Sequence, residues 1–327
     1  MNTELIRLVA ERTMTWNFRL WGFGEAIALR GLLRSNEAIG HPEAFGYVHA
    51  LLRAYLARGP GRSPEEHVAP GSELLLLYRA TGDQAFLDAA RRLADLHASF
   101  PLGPSGARYH RRDQPGWRRQ IWVDCMDAEP PFLALLGAMT GEGRYFDQAA
   151  GEILAYAQLL QDPVSGLFHH GFEEACGANG QIWARGNGWA LLGLLETLRQ
   201  LPDADPRRTE LRDRFALLCS GLHRFQDRGG LWHTVIPEPE THLESTLAAM
   251  AAYAIREARG LAILDGPKFE KMEQAARTAV LGLVREDGSL GLVTDATPIG
   301  ELAMYATRPF GTFPWGQGIL LLLLTQP

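Results

Sequence analysis

The chain has little cysteine and no excess of positive charge. Its 327 residues include three cysteines, Cys125, Cys176 and Cys219, with no Cys-x-x-Cys pair. This pattern argues against a disulfide framework and against a cysteine-based zinc site. The formal net charge is -6. A phosphate-binding surface normally leaves a basic excess, so nucleic acid is not expected as a partner.

The chain also lacks a long apolar run. Residues 319–324 are apolar, but a membrane span needs about 20 such residues, so this run predicts a buried last helix. Residues 1–14 lack the charged and apolar regions of a secretory signal. We therefore expect a cytoplasmic protein with reduced cysteines and no membrane contact.

Strand-like alternation is scarce, and almost every apolar run has helical spacing. The spacing predicts about twelve helices, near residues 3–13, 22–34, 42–57, 70–80, 84–98, 129–139, 144–160, 187–200, 206–226, 242–260, 267–285 and 315–325.

The predicted helices form similar pairs. Residues 75–96 and 133–154 each contain an apolar helix, a Thr-Gly turn and a second amphipathic helix, and residues 32–52 are a weaker copy. Glycine ends such a helix in the left-handed conformation. Stacked helical pairs form a solenoid or a closed ring. Because the last helix is apolar rather than a polar cap, we predict closure. The fold class is therefore all-α, a single (α/α)6 toroid over residues 1–327.

The segment from Gln120 to Phe132 places Asp124 two residues after Trp122 and just ahead of an apolar helix. A carboxylate in that position is partly desolvated, which favours the protonated form needed for general acid catalysis. The alternative is that Asp124 caps the helix.

A second polar cluster lies in residues 181–198. It places Trp183, Arg185, Asn187 and Trp189 at the start of a helix, with Gly186 and Gly188 between them. The planar guanidinium of an arginine suits a carboxylate ligand, and tryptophan rings offer flat faces to a sugar. Alternatively, both tryptophans belong to the core and the arginine pairs with a structural acid.

Five arginines cluster ahead of Asp124, and on an acidic protein such a patch favours a small acidic ligand over a polymer of phosphates. They are Arg108, Arg111, Arg112, Arg118 and Arg119.

Taken in order, five motifs resemble those of the unsaturated glucuronyl and rhamnogalacturonyl hydrolases of glycoside hydrolase families 105 and 88. These motifs are IWVD, the turn at 162–172, WARGNGW, the segment at 226–235 and the segment at 242–255. The resemblance covers most of the chain, and WARGNGW with an upstream W-x-D is its most specific part.

The resemblance implies an (α/α)6 barrel that removes a 4,5-unsaturated uronic acid from the non-reducing end of oligosaccharides left by polysaccharide lyases. The expected substrate is unsaturated galacturonyl-rhamnose. The family's acid/base aspartate matches Asp124, which would protonate the C4–C5 vinyl ether and direct water to C5. This scheme differs from that of glycosidases with two carboxylates.

The resemblance also implies the remaining site residues. Glu66 is the counterpart of a second family aspartate, next to His67, and His170 matches the histidine of an H-G-W-D turn. Arg185 and Trp189 match substrate-binding positions of the family's WARGNGW motif. From their places in or near these motifs, the further expected substrate contacts are Trp183, Asn187, Trp122 and Trp21.

Several positions depart from the family pattern and leave the natural substrate open. Glu66 is one methylene longer than the usual aspartate, and Asp127 and Glu129 add carboxylates near Asp124. Like charges disfavour ionisation of a neighbouring acid. The H-G-W-D turn also differs, because Phe172 and Glu173 replace its last two residues.

No cofactor or metal is expected, because the histidines lack ligand spacing. His170 is expected to donate a hydrogen bond to the sugar, with a structural loop histidine as the alternative, and Cys125 to be a packed hydrophobe. Trp21, Trp232 and Trp315 lie near glycines at helix starts and are candidates to line the funnel. Glu244 would contact substrate or cap a helix.

Two other functions stay open: a sugar 2-epimerase, which would need paired catalytic histidines on inner helices, and a degenerate carbohydrate-binding toroid. The expected partner is a small oligosaccharide bearing an unsaturated uronate, bound by a monomer or weak homo-oligomer.

Overall fold

The structure is a computed structural model that describes residues 2–20, 22–59, 68–111 and 114–326. Twelve of its helices form six antiparallel pairs. The outer members are α1 (Thr3–Met14), α3 (Pro42–Arg58), α5 (Gln84–Ala98), α8 (Gly143–Leu160), α10 (Arg208–Phe225) and α12 (Pro267–Gly282). The inner members are α2 (Phe23–Ile39), α4 (Gly71–Thr81), α7 (Pro130–Thr140), α9 (Ala184–Gln200), α11 (Thr246–Gly260) and α14 (Pro314–Leu324).

The inner helices form a closed ring. Each of α2, α4, α7, α9, α11 and α14 packs against the next in that order, and α14 returns to pack against α2. An outer helix covers each inner helix, so the inner helices are apolar on most of their surface. The predicted (α/α)6 toroid is confirmed, and the apolar run at 319–324 belongs to the buried inner helix α14.

The Thr-Gly turns that define the repeat have the predicted geometry. Gly82 and Gly141 end inner helices in the left-handed conformation, at φ +71° and +73°, and Gly40 does so at φ +65°. After the first of these turns, the Asp83 carboxylate accepts a hydrogen bond from the Ala85 amide and caps α5.

Two predicted helix starts are wrong by several residues. Helix α9 begins at Ala184 rather than 187, because Trp183 already occupies the extended N-cap position. Helix α11 begins at Thr246 rather than 242, because Leu243 and Glu244 form a strand. The short helices α6 (Cys125–Ala128) and α13 (Leu302–Ala306) were not predicted, since one or two turns leave no apolar period.

Among the described residues, seven short strands lie in the loops that lead into inner helices, and all pair antiparallel. Trp122 faces Gly171 across the β1–β2 pair. The strands are β1 (Gln120–Trp122), β2 (Gly171–Glu173), β3 (Gly177–Ala178), β4 (Trp232–His233), β5 (Leu243–Glu244), β6 (Val293–Thr294) and β7 (Phe310–Gly311). These loops gather at the end of the ring where the inner helices begin, as the sequence predicted.

Glycines on α9 permit the close packing that sets the position of α6. A Cβ at Gly193 would lie 2.2 Å from the Met126 carbonyl oxygen, and one at Gly186 would lie 2.7 Å from Val123. Gly186 and Gly188 therefore lie inside the helix and serve packing, rather than forming a loop before it. Within the described residues, no helix is long and apolar enough to cross a membrane.

Candidate active site

A pocket of about 300 Å³ opens at the end of the ring where the inner helices begin. Its wall combines aromatic rings, arginines and two carboxylates. The lining residues are Gly22, Gly24, Glu25, His110, Arg111, Trp117, Trp122, Asp124, Trp183, Arg185, Trp189, Ala296, Thr297, Pro298, Arg308 and Trp315.

Asp124 lies in this pocket, in the turn between β1 and α6. The residue is only 3% exposed, and its Oδ2 has no hydrogen-bond partner among the described groups. The carboxylate does not cap α6, so the capping alternative does not hold. A buried carboxylate oxygen without a partner is rare in proteins, and it marks a group available to a ligand.

The imidazole of His170 lies directly behind Asp124. His170 Nε2 is 3.4 Å from Asp124 Oδ2, and the ring is fully buried against Trp183, with ring centroids 4.3 Å apart. Its backbone amide donates to the Gln181 carbonyl, and its carbonyl accepts from Val123. His170 therefore contacts the candidate acid rather than the open pocket, which differs from the predicted contact with sugar hydroxyls.

Aromatic rings form one wall of the pocket. The His110 ring stacks on Trp122 with centroids 4.0 Å apart, and Trp117 lies 5.2 Å from Trp122. Trp183, Trp189 and Trp315 line the opposite part. The predicted positions of Trp122, Trp183 and Trp189 beside one pocket agree with the structure, and Trp315 joins them. Trp232, in contrast, is fully buried and donates to the Leu222 carbonyl.

Arg185 lines the pocket, but its guanidinium donates its hydrogen bonds to other protein groups. Nη1 donates to the Thr294 carbonyl and hydroxyl, both at 2.8 Å, and Nη2 donates to the Asp295 carbonyl at 2.8 Å. The group lies between the rings of Trp183 and Trp315, at 4.5 and 5.1 Å. Burial lowers the pKa of Arg185 to about 10, against the opposing effect of nearby carboxylates, so it stays protonated at neutral pH. Arg185 thus holds the loop after β6, and a bidentate contact with a substrate carboxylate does not fit this arrangement.

Asn187 is a further correction, because its side chain is fully buried away from the pocket lining. Its carbonyl oxygen accepts from the Phe168 amide, and its nitrogen donates to the carbonyls of Phe168 and Trp183. The amide therefore joins α9 to the loop before β2. Glu244 follows the capping alternative, since its carboxylate accepts from the amides of Thr246 and Leu247.

The extra carboxylates after Asp124 do not reach the pocket. Asp127 lies 3.7 Å from Arg30, and burial raises the pKa of Asp127 to about 6 despite that cation. Glu129 accepts a hydrogen bond from the Tyr156 phenol at 2.5 Å. Both belong to buried networks beneath the site, because α6 turns their side chains away from it.

The arginines of the segment before Asp124 lie in different environments in the structure. Arg111 lines the pocket with its guanidinium 4.9 Å from the Trp117 ring centre. Arg108 is buried 3.2 Å from Glu152, and Arg119 pairs on the surface with Glu174. The predicted residues Arg112, Glu66, His67 and Trp21 lie outside the described residues.

One trio among the described residues has spacing suited to a metal: His97, Glu129 and Glu152, whose ligand atoms lie within 4.8 Å of one another. His97 Nε2 already contacts both Glu152 oxygens, at 2.9 and 3.0 Å, and Arg108 approaches the same carboxylate. Burial disfavours protonation of His97, but Glu152 and Glu129 outweigh it and raise its pKa. His97 and Arg108 therefore already engage the Glu152 carboxyl, and this arrangement describes a buried hydrogen-bonded network better than a metal site.

The Cys125 thiol is fully buried beneath Asp124. Burial, together with the charges of Glu129 and Asp124, raises the pKa of Cys125 well above its usual range. A thiol that resists ionisation is a poor nucleophile. This agrees with its prediction as a packed hydrophobe.

Sequence reasoning missed His110, Glu25, Arg308 and Tyr305. The last three carried no signal beyond their residue type, since Glu25 lies in the first turn of α2, Tyr305 in the short helix α13 and Arg308 in the loop after it. His110 and Trp117 lie within the arginine-rich segment, and an aromatic count there could have found them. Tyr305 donates or accepts a 2.6 Å hydrogen bond with His170 Nδ1.

Comparison with known proteins places the site in a family context. Residues 5–326 match the family model described as Glycosyl Hydrolase Family 88. The unsaturated rhamnogalacturonyl hydrolase YesR of Bacillus subtilis is 27% identical over 332 residues, which cover 99% of this chain and 94% of that protein.

Solved structures share the fold. A possible member of the GH105 family from Salmonella enterica has a TM-score of 0.90 at 22% identity, covering 98% of this chain and 92% of that one. The unsaturated glucuronyl hydrolase of Bacillus sp. GL1 has a TM-score of 0.77 at 16% identity, covering 98% and 94%. At these identities, the likeness supports the toroid alone.

The hydrogen bonds that Arg185 donates to Thr294 and Asp295 should contribute to the stability of the fold. Arg185→Lys keeps the charge but removes the guanidinium donors from the carbonyls of Thr294 and Asp295. These carbonyls still accept from Trp315 and Thr297. Loss of hydrogen bonds from a charged donor costs about 1.5–3 kcal/mol. Urea denaturation should show this loss in the free energy of unfolding.

The matched control is Arg119→Lys, whose exposed pair contributes about 0.2–1 kcal/mol. Equal free energies of unfolding for the two variants would contradict this contribution of Arg185 to stability.

Proposed function

Because the chain belongs to Glycosyl Hydrolase Family 88, we propose that it removes a 4,5-unsaturated uronic acid from the non-reducing end of lyase-generated oligosaccharides. The chain is a glycoside hydrolase by family. The similarity to an unsaturated rhamnogalacturonyl hydrolase along almost its whole length supports unsaturated galacturonyl-rhamnose as the substrate.

The observation that carries this proposal is a difference in hydrogen bonding between the two carboxylates in the described part of the pocket lining. Glu25 accepts hydrogen bonds from the Trp16 indole and from the amides of Arg19 and Leu20. It is thereby committed to the N-terminal segment. Asp124, in contrast, has a buried oxygen without a hydrogen-bond partner among the described groups. Within the described lining, one carboxylate is therefore available for chemistry.

A single available acid suits addition of water to a vinyl ether. Asp124 gives its proton to C4, and positive charge develops at C5, where the ring oxygen stabilises it. Water adds to C5 as the carboxylate takes up a proton from it. The resulting hemiketal opens to a C5 ketone, which leaves a hemiacetal at C1. That hemiacetal releases the aglycone alcohol, so every step moves only protons and the added water.

Cations at the pocket provide a partner for the uronate carboxylate. Arg308 lines the pocket and donates one hydrogen bond, to the Ala296 carbonyl, while its buried Nε has no partner among the described groups. Arg111 lines the same pocket. Since Arg185 is occupied by the loop after β6, we assign the substrate carboxylate to Arg308.

The surrounding rings suit a sugar. Trp122, Trp189 and Trp315 present apolar faces that can stack on pyranose rings and keep bulk water from the double bond.

The epimerase alternative is less well supported. It would place two catalytic histidines on inner helices, facing the substrate. His110 and His170 lie instead in the loops before β1 and β2, one stacked on Trp122 and the other fully buried. A cytoplasmic location and a monomeric or weakly associating state stay predictions.

Absorbance of the conjugated C4–C5 double bond tests the proposed reaction. Wild-type protein should remove this absorbance from lyase-digested rhamnogalacturonan faster than from digested glycosaminoglycan. Asp124→Asn should lower the rate by roughly 10²–10⁴, because the amide has no proton to give. Loss of catalysis with retained binding would also reject a purely binding role for the toroid.

A wild-type protein that is folded and binds the oligosaccharides, yet leaves the absorbance of every digest unchanged, would overturn the proposal. That result would favour the degenerate carbohydrate-binding toroid.

Arg308→Gln tests the assignment of the uronate carboxylate. Loss of one charge-assisted hydrogen bond, about 1.5–3 kcal/mol, should raise KM roughly 10- to 150-fold with a smaller effect on kcat. Arg53→Gln, on the outer helix α3, removes the same charge away from the pocket and should leave KM unchanged. Equal KM values for the two variants would reject the assignment.

A further inference from the structure

We propose that Tyr305 is a positioning residue that keeps the proton of His170 on Nε2, so that the imidazole faces Asp124 as a neutral hydrogen-bond donor. The position of that proton follows from a chain of hydrogen bonds beginning at the backbone. Its catalytic consequence rests on the proposed function, whereas the proton position itself does not.

The orientation of the Asn179 amide comes first. Its Oδ1 faces two backbone donors, the amides of Gly171 at 3.3 Å and Gln181 at 3.4 Å. An amide nitrogen there would oppose two N–H groups, so the oxygen must occupy that position. The Asn179 nitrogen is therefore turned toward the Tyr305 phenol, 3.3 Å away, and donates to it.

The direction of each hydrogen bond at the Tyr305 phenol follows by elimination. Its oxygen accepts from Asn179 Nδ2 and from the Gly300 amide at 3.4 Å. A phenol oxygen has a single hydrogen to give. The remaining neighbour is His170 Nδ1 at 2.6 Å, so the phenol donates its hydrogen there. Burial raises the pKa of Tyr305, which keeps that hydrogen in place.

His170 Nδ1 must then be the acceptor, and the proton of a neutral ring lies on Nε2. That nitrogen is 3.4 Å from Asp124 Oδ2, and neither atom has another hydrogen-bond partner among the described groups. The groups around the ring are Asp124, Tyr305 and, across the Trp183 ring, Arg185. The distance leaves room for the contact to tighten when substrate binds.

A donor at this position has a specific use. As Asp124 gives its proton to carbon, negative charge grows on the carboxylate, and a fixed N–H on Oδ2 stabilises that charge without reorganisation. With the proton on Nδ1, the Nε2 lone pair would face the same oxygen and oppose the transfer. Tyr305 is thereby tied to catalysis through His170, although it does not line the pocket.

Two substitutions separate this role from simple packing. Tyr305→Phe removes the donor but keeps the ring. Asn179→Asp keeps the acceptor for Gly171 and Gln181 and keeps the tyrosine, but it replaces the donor with an acceptor. The phenol hydrogen would then turn to the introduced carboxylate, and His170 would carry its proton on Nδ1. Tyr253→Phe on α11 is the control, since it removes a buried phenol outside this chain of bonds.

Nitrogen-15 NMR of histidine-labelled protein reports the tautomer directly, with His170 assigned by the loss of its signals in His170→Gln. Wild type and Tyr253→Phe should show a protonated Nε2 and an unprotonated Nδ1 at neutral pH. Asn179→Asp should reverse this and lower kcat at least about tenfold. In Tyr305→Phe, which removes the donor to Nδ1, the preference for a protonated Nε2 should be lost.

A protonated Nδ1 in wild type, or an unchanged tautomer in Asn179→Asp, would overturn the proposal. A purely structural role would lower activity and leave the tautomer as it was. The NMR result decides the role of Tyr305, while absence of turnover by wild type would count against the proposed function alone.

Discussion

Closure of the inner ring between α14 and α2 is the contact on which the site depends. Glycine makes this contact possible: a Cβ at Gly318 would lie 2.5 Å from the backbone of Ile27 and Ala28, and one at Gly31 would lie 2.8 Å from the Gly318 carbonyl. With α14 held there, the segment that contains β6, α13 and β7 lies over the loops before α7 and α9. That arrangement brings Tyr305 to His170.

The polar groups around the pocket divide into two classes by their partners. Arg185, Asn187, Glu25 and Glu244 are engaged by backbone groups and hold loops in place. Among the described groups, Asp124 Oδ2 has no hydrogen bond and lies 3.4 Å from His170 Nε2, and Arg308 Nε has no partner. Because buried polar groups are normally satisfied, such atoms in the pocket wall are positions where a ligand can bind, and the Trp183 indole Nε1 is another of them. An acid beside a vinyl ether and a cation beside a carboxylate fit the same unsaturated uronate.

The parts of the fold that repeat a period were predictable from sequence. Twelve helices followed from apolar spacing, and ring closure followed from the apolar last helix. The position of Asp124 in the pocket wall was predictable because its motif is local, with Trp122 and the following helix adjacent to it. Short elements such as α6 and α13 carry no period, so their positions were not found.

The sequence predicted the position of a side chain better than it predicted the hydrogen-bond partners of that side chain. Arg185 was correctly placed beside the pocket, but its partners come from residues 294–297, which only the folded ring brings near. Tyr305 and Arg308 reach the site for the same reason, from a segment distant in sequence. The partners of a buried polar group depend on tertiary contacts, and single-sequence patterns do not contain them.

Incorporation of solvent deuterium into the released uronate tests hydration of the double bond most directly. The reaction would be run in D₂O with an unsaturated galacturonyl-rhamnose disaccharide, and the uronate from the first turnovers analysed by mass spectrometry and NMR. Protonation by Asp124 predicts one carbon-bound deuterium at C4 and loss of the double bond. A released uronate that keeps the double bond and carries no carbon-bound deuterium would show displacement at the anomeric carbon and contradict this account.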